Sequence, residues 1–158
     1  MKKNAHKPCC PPFDPEPWDE KEIIWKDKPF VKARVFSIFH IPVNFSDVLK
    51  ASMEKIAAAG AALPEYLALS DENSLFGADL YIAVAKDVPD VKNEKISATF
   101  LTKVFEGPYK NAGKWAAQMK DYAASKGRET SRILFFYTTC PKCAGHYGKN
   151  YTVLFAEV

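Results

Sequence analysis

No apolar run in this 158-residue chain approaches the length needed to cross a bilayer, which argues against membrane insertion. Met1-Lys2-Lys3 is followed shortly by Pro8 and Cys9, not by a signal-peptide core, so a cytosolic protein is expected. The chain also has no Arg-rich run: its 22 basic and 19 acidic residues are spread along its length, which removes nucleic acid as an expected partner. Nothing in it resembles a Ser-His-Asp or Cys-His catalytic arrangement. A second Cys-x-x-Cys is missing beside Cys140-Pro-Lys-Cys143.

The chain is long enough to bury one real core. Its hydrophobic content of 47% is ordinary, but Phe, Tyr and Trp reach 13%, and that surplus must line either a core or a pocket. It also repeats itself. Laid over FHIPVNFSDVLKASMEKIAAAG, the stretch FEGPYKNAGKWAAQMKDYAASK puts Phe105 on Phe39, Glu106 on His40, Pro108 on Pro42 and Met119 on Met53, all at an offset of 66 (108 less 42). Farther on, residues 78–84 match 152–158 at an offset of 74 (152 less 78). The eight extra positions are an insertion in the second copy that carries Cys140 and Cys143.

Residues 1–32 are expected to be a Pro- and Cys-rich arm, because Pro8, Pro11, Pro12, Pro15 and Pro17 exclude helix and ladder strand. Phe13, Trp18, Ile23, Ile24 and Trp25 favour an ordered arm over a linker. Copy one, residues 33–85, reads as strand 33–40, a helix capped at Asn44 or Ser46 with Leu49, Met53, Ile56 and Ala57 on one face, a stop at Gly60, and strands 65–70 and 78–85 joined by DENSLFG. Copy two, residues 95–158, reads as strand 96–105, helix 109–126, a stop at Gly127, and hairpin strands 133–138 and 151–158. The expected fold is therefore α+β: a tandem βαββ repeat with pseudo-two-fold symmetry, whose mixed, largely antiparallel sheet carries two main helices on one face. Such helices would diverge over the axis and leave a groove suited to a small molecule.

These units, the run FEGPYKNAGKW and the closing strand NYTVLFAEV resemble the GyrI-like small-molecule-binding family, which includes effector-binding domains of multidrug-responsive activators. The resemblance covers about residues 33–158, with Phe105-Glu-Gly-Pro-Tyr109 its best element. It implies a central groove for bulky, lipophilic, often cationic compounds, and some members are similar to hydrolases that open strained rings with a Glu and a Tyr. No helix-turn-helix segment precedes the domain, so a stand-alone member is expected. One departure stands out. Where the family often places a Glu on the strand after the second helix, this chain has Phe135 or Phe136.

Within the expected groove, Glu106 and His40 face one another across the axis as a cation trap or acid–base pair, unless Glu106 only caps a helix start. Tyr109 and Trp115 are expected to be stacking faces, as Trp115 replaces Leu49 of copy one, while Tyr122 is expected in the core. Tyr137, Tyr81 and Trp25 complete the aromatic set. Glu157, whose counterpart is Ala83, offers a second pocket carboxylate or an exposed edge residue. Cys140 and Cys143 in the hairpin loop, with Cys9 and Cys10 from the arm and His6 or His146 nearby, present zinc ligands, a redox pair or neighbouring free thiols. No cofactor is required, and zinc is the one option.

Two functions follow. The first is a cytosolic binding protein for aromatic, lipophilic, cationic small molecules. The alternative is a hydrolase in the same groove, with Glu106 as base, Tyr109 as acid and water as nucleophile.

Overall fold

The computed structural model describes residues 13–38, 41–42, 44–64, 67–74, 76–138 and 150–158. Its elements are β1 (Lys21–Ile38), β2 (Ile41–Pro42), α1 (Phe45–Ala58), β3 (Ala68–Ser74), β4 (Gly77–Ala83), β5 (Lys92–Glu106), a 3-10 turn (Tyr109–Asn111), α2 (Ala112–Ser125), β6 (Arg132–Tyr137) and β7 (Tyr151–Glu157). The strands run in the order β2-β1-β4-β3-β6-β7-β5, and β5 pairs back onto β1. Six strands thus close into a barrel, with β2 appended to the end of β1.

The closure corrects two sequence expectations and recasts a third. Every described pairing is antiparallel, not mixed. The two helices do lie on one face of the sheet, but the sheet is rolled, so that face is the barrel's outer wall and each helix covers a separate arc of it. Finally, the arm boundary at 32 falls inside β1, whose first half is a ladder strand running from Lys21↔Thr102 to Trp25↔Ala98. The prolines explain the last point. Five of the arm's six prolines precede Lys21, and the sixth, Pro29, is accommodated just past a register shift between Trp25 and Lys28. At that bulge Asp27 adopts φ 50°, its N–H donates to Ser97 Oγ at 2.8 Å, and the Ser97 hydroxyl donates back to Asp27 Oδ1 at 3.2 Å. The extra half-strand reaches β5 and removes both sheet edges.

Alternation along each strand sorts side chains between two apolar layers. Inside lie Phe30, Leu69, Tyr81, Phe100, Leu134 and Phe155 from the six strands, with Trp25 packed on Phe30, Phe100 and Phe155 at ring-centroid distances of 5.4, 5.0 and 5.7 Å. Outside, α1 sets Ile56 and the half-buried Leu49 and Met53 against Val31, Val35, Leu80 and Ile82. The stripe expected on α1 holds except for Ala57, which is exposed. On the other arc α2 sets Trp115, Met119 and Ala123 against Leu101, Phe105, Phe135 and Leu154. Each of these buried side chains contributes about 1.5–3 kcal/mol.

The two barrel ends differ. One is plugged by the segment ahead of β1: Trp18 packs edge-on to Phe136 and Phe155, and Thr102 Oγ1 donates to the Trp18 carbonyl at 2.6 Å. At the other end, charged side chains replace apolar ones on the inner wall.

Candidate active site on the outer wall

Between the arcs covered by α1 and α2, strand β3 meets β6. Here RILFFY needs both faces apolar, because Leu134 and Phe136 fill the barrel while Phe135 and Tyr137 face outward under α2. On β3 the same alternation turns Leu69 and Asp71 inward, and Ser70 and Glu72 outward. Ser70 pairs with Phe135. The Tyr137 ring stacks on Phe135 (centroids 6.1 Å apart, interplanar angle 11°), and its hydroxyl donates a short hydrogen bond to Glu72 Oε1. A phenol donating to a carboxylate in a half-buried setting is a charge-assisted bond, stronger than a neutral one.

The row continues across the wall. Tyr137 lies opposite Thr152 on β7, and Thr152 lies opposite Phe105 on β5. Phe105 in turn stacks against Trp115 of α2, with centroids 5.9 Å apart and an angle of 26°. Thr152 is fully buried, and its Oγ1 has no hydrogen-bond partner among the described residues. At the end of the row the Glu106-Gly107-Pro108 corner is tied to β7: Gly107 N–H donates to the Asn150 carbonyl at 3.0 Å, and Asn150 Nδ2 donates to the Gly107 carbonyl at 2.7 Å. Gly107 has φ 139°, a conformation that needs glycine, and a Cβ there would lie 3.6 Å from Trp115. The corner therefore aims the start of α2 at the wall.

On the inner wall, at the end away from the plug, all six strands contribute to a charged ring. Lys32 Nζ lies 3.8 Å from Asp79 Oδ2 and 3.6 Å from Glu94 Oε2, and Arg34 Nη1 is 3.1 Å from Asp79 Oδ1. Arg132 reaches two strands, with Nη1 3.8 Å from Asp71 Oδ2 and Nε donating to Glu157 Oε2. The Tyr81 ring lies between two cations, Lys32 Nζ at 5.4 Å and Arg132 Cζ at 5.8 Å from its centroid. Burial alone would lower the pKa of Lys32, but Tyr81, Asp79 and Glu94 outweigh it and hold the ammonium above the ordinary lysine range. Arg132 is held up in the same way, its burial overridden by Glu157 and Tyr81. Asp71 is also raised, by burial first and then by Asp79, against the pull of Arg132, Lys32 and Arg34.

The barrel wall divides the residues singled out from sequence. Tyr137 and Trp115 share the outer row, with Trp115 buried against Phe105. Trp25, Tyr81 and Glu157 belong to the inside. Glu106 ends β5 with an exposed side chain. Tyr109 opens the 3-10 turn, its side chain outside the described part. Tyr122 is half-buried at the rim of the α2 layer, with Lys103 and Lys126 over its ring at 5.1 and 5.7 Å. His40, Cys9, Cys10, Cys140 and Cys143 lie outside the described residues, as do His6 and His146. Among the described residues no group of three or more His, Cys, Asp or Glu is placed to hold a metal ion. No described helix is long and apolar enough to cross a membrane.

Sequence reasoning missed Glu72, because DENSLFG reads as a loop while its first four residues extend β3. The charged ring went unnoticed for a different reason. Asp79 and Arg132 are each the single charge of an apolar strand, Lys32 and Arg34 alternate with apolar residues on β1, and only the closed topology brings them to one end.

A family model described as bacterial hydrolase matches the chain over residues 1–158. No curated protein matches it. With its whole length matched, the chain belongs to the family described as bacterial hydrolase.

Proposed function

We propose that the chain is a small-molecule hydrolase in which Glu72 and Tyr137 work as a pair on the wall between the two helices. The observation that carries this reading is the hydrogen bond from the Tyr137 hydroxyl to the Glu72 carboxylate on the wall between the helices. Glu72 takes a proton from the attacking water, and Tyr137 gives its proton to the leaving atom. The hydrogen bond between them returns that proton, so the pair ends as it began. The assignment moves the chemistry from Glu106 and Tyr109, since Glu106 is exposed at a strand end. It keeps the residue types that the GyrI-like resemblance implies, a Glu and a Tyr. An order of strand, helix, strand, strand followed by the same again supports descent by doubling of a βαββ unit. The aromatic walls support a bulky, lipophilic substrate.

The test is turnover of a panel of aryl esters and strained-ring electrophiles by the full chain. Glu72→Gln and Tyr137→Phe should each lower kcat by about 100-fold or more, the usual weight of a positioned acid or base. Undiminished turnover in Glu72→Gln would place the chemistry elsewhere. The two stacked pairs, Phe135–Tyr137 and Phe105–Trp115, favour one second reading, a receptor that holds flat cations without turnover. In that case cationic aromatics raise the melting temperature, Glu72→Gln weakens cations more than neutral analogues, and no product forms.

A further inference from the structure

We propose that Asp71 and Arg132, on the inner wall, are positioning residues that set the reach of Glu72 to Tyr137 on the outer wall. This rests on reading Glu72 and Tyr137 as the working pair. Consecutive strand residues point to opposite faces, so Asp71 and Glu72 stand back to back on β3. Toward β4 the backbone ladder pairs Asp71 with Asp79, but among the described residues no register pair includes Glu72. Among the described residues β3 and β6 share one register pair, Ser70↔Phe135, whereas β6 and β7 share six, from Arg132↔Glu157 to Tyr137↔Thr152. On its other side, the β3–β4 ladder shifts register between Asp71 and Ser74, the interval that contains Glu72.

Side chains supply what the ladder lacks. From inside, the planar Arg132 guanidinium holds Asp71 of β3 at 3.8 Å and Glu157 of β7, so it ties the loosely paired strand to the well-paired one. From outside, Tyr137 binds Glu72. The Asp71 side chain is only 18% exposed, so this ion pair is less screened by water than a surface pair. A movement of Asp71 turns the same peptide that carries Glu72, so the inner clamp determines where the outer carboxylate sits.

The test uses the full chain with tyrosine labelled at the ring carbon that bears the hydroxyl, Tyr137→Phe assigning the Tyr137 signal. Glu72→Gln marks the resonance position taken without the carboxylate. Asp71→Asn and Arg132→Gln should each move the Tyr137 signal toward that position, and Arg132→Lys should return it part of the way. Arg34→Gln, which breaks a pair with Asp79 in the same ring but between β1 and β4, should leave it in place. Asp71→Asn is nearly isosteric, so it and Arg132→Lys carry the test if Arg132→Gln does not fold. An unmoved signal in Asp71→Asn, or an equal shift in Arg34→Gln, overturns the proposal. Absence of turnover in the unmodified chain would remove the hydrolase reading and leave this coupling to be decided by the resonance alone. Turnover lost in Glu72→Gln, with an unmoved signal in Asp71→Asn, would overturn the coupling and keep the hydrolase.

Discussion

Thr152→Val tests whether the wall under α2 carries an unpaired hydroxyl at a cost in stability. Thr152 is fully buried near the start of β7, between Tyr137 and Phe105, with Leu154 and Ala156 following on the same face. Valine has the same shape and the higher strand preference, so the exchange removes one hydroxyl and opens no cavity. A buried hydroxyl without a partner carries a desolvation cost of about 1–3 kcal/mol. Thr152→Val should therefore stabilise the fold by about 1 kcal/mol, which for a chain of this size raises Tm by about 2–4 °C. Thermal and urea unfolding of the two proteins, checked for equal m-values, give the number. A loss of 1 kcal/mol or more would refute the reasoning, since it would mean the hydroxyl is satisfied in the folded protein.

Asp71→Asn should become more favourable relative to the unmodified protein as pH rises. A carboxyl whose folded-state pKa is raised contributes stability that is present below its unfolded pKa, near 4, and is lost as pH rises through the folded value. Urea midpoints at pH 4 and pH 7 read the difference; a variant that loses ground toward pH 7 would show that Arg132 outweighs burial and Asp79. Met119→Ala removes a fully buried side chain that fixes α2 to the wall, and should cost about 2–5 kcal/mol in urea unfolding. A cost below about 1 kcal/mol would mean that α2 is held chiefly by other contacts. Trp18→Ala should cost about 3 kcal/mol and speed exchange of the amides at the plugged end, Val104 first, whose N–H donates to Asp19 Oδ1 at 3.1 Å. Unchanged exchange at Val104 would show that the plug is held without its indole.

Most elements were readable because periodicity reports local geometry. The α2 stripe of Ala112, Trp115, Ala116, Met119, Tyr122 and Ala123 faces the wall as the 3.6-residue period requires, and both helices end before Gly60 and Gly127. Long-range pairing left no such trace. Ile23, Ile24 and Trp25 read as apolar bulk on an arm because nothing local says that they ladder with 98–100 of β5. Of the two caps expected for α1, Asn44 or Ser46, Asn44 is the N-cap residue, but its Oδ1 accepts the Phe36 N–H at 2.7 Å, so a strand end took the acceptor from the helix start.

The positions of the candidate site's residues were not legible in the sequence, and the period of two explains why. A one-residue step along a strand moves a side chain through the barrel wall, from the interior to the face between the helices. Tyr81, Glu157 and Tyr137 look alike in sequence, each a polar-tipped residue in an apolar run, yet the first two belong to the charged ring and the third to the outer row. Only closure assigns the faces, and closure depends on the half-strand that prolines made look like a tail. Once it is made, two consecutive acids on β3 acquire separate surroundings: Asp71 among cations inside, Glu72 beside a phenol outside. A single peptide then joins a buried electrostatic network to the proposed acid–base pair, and a substitution at either acid should be felt at the other.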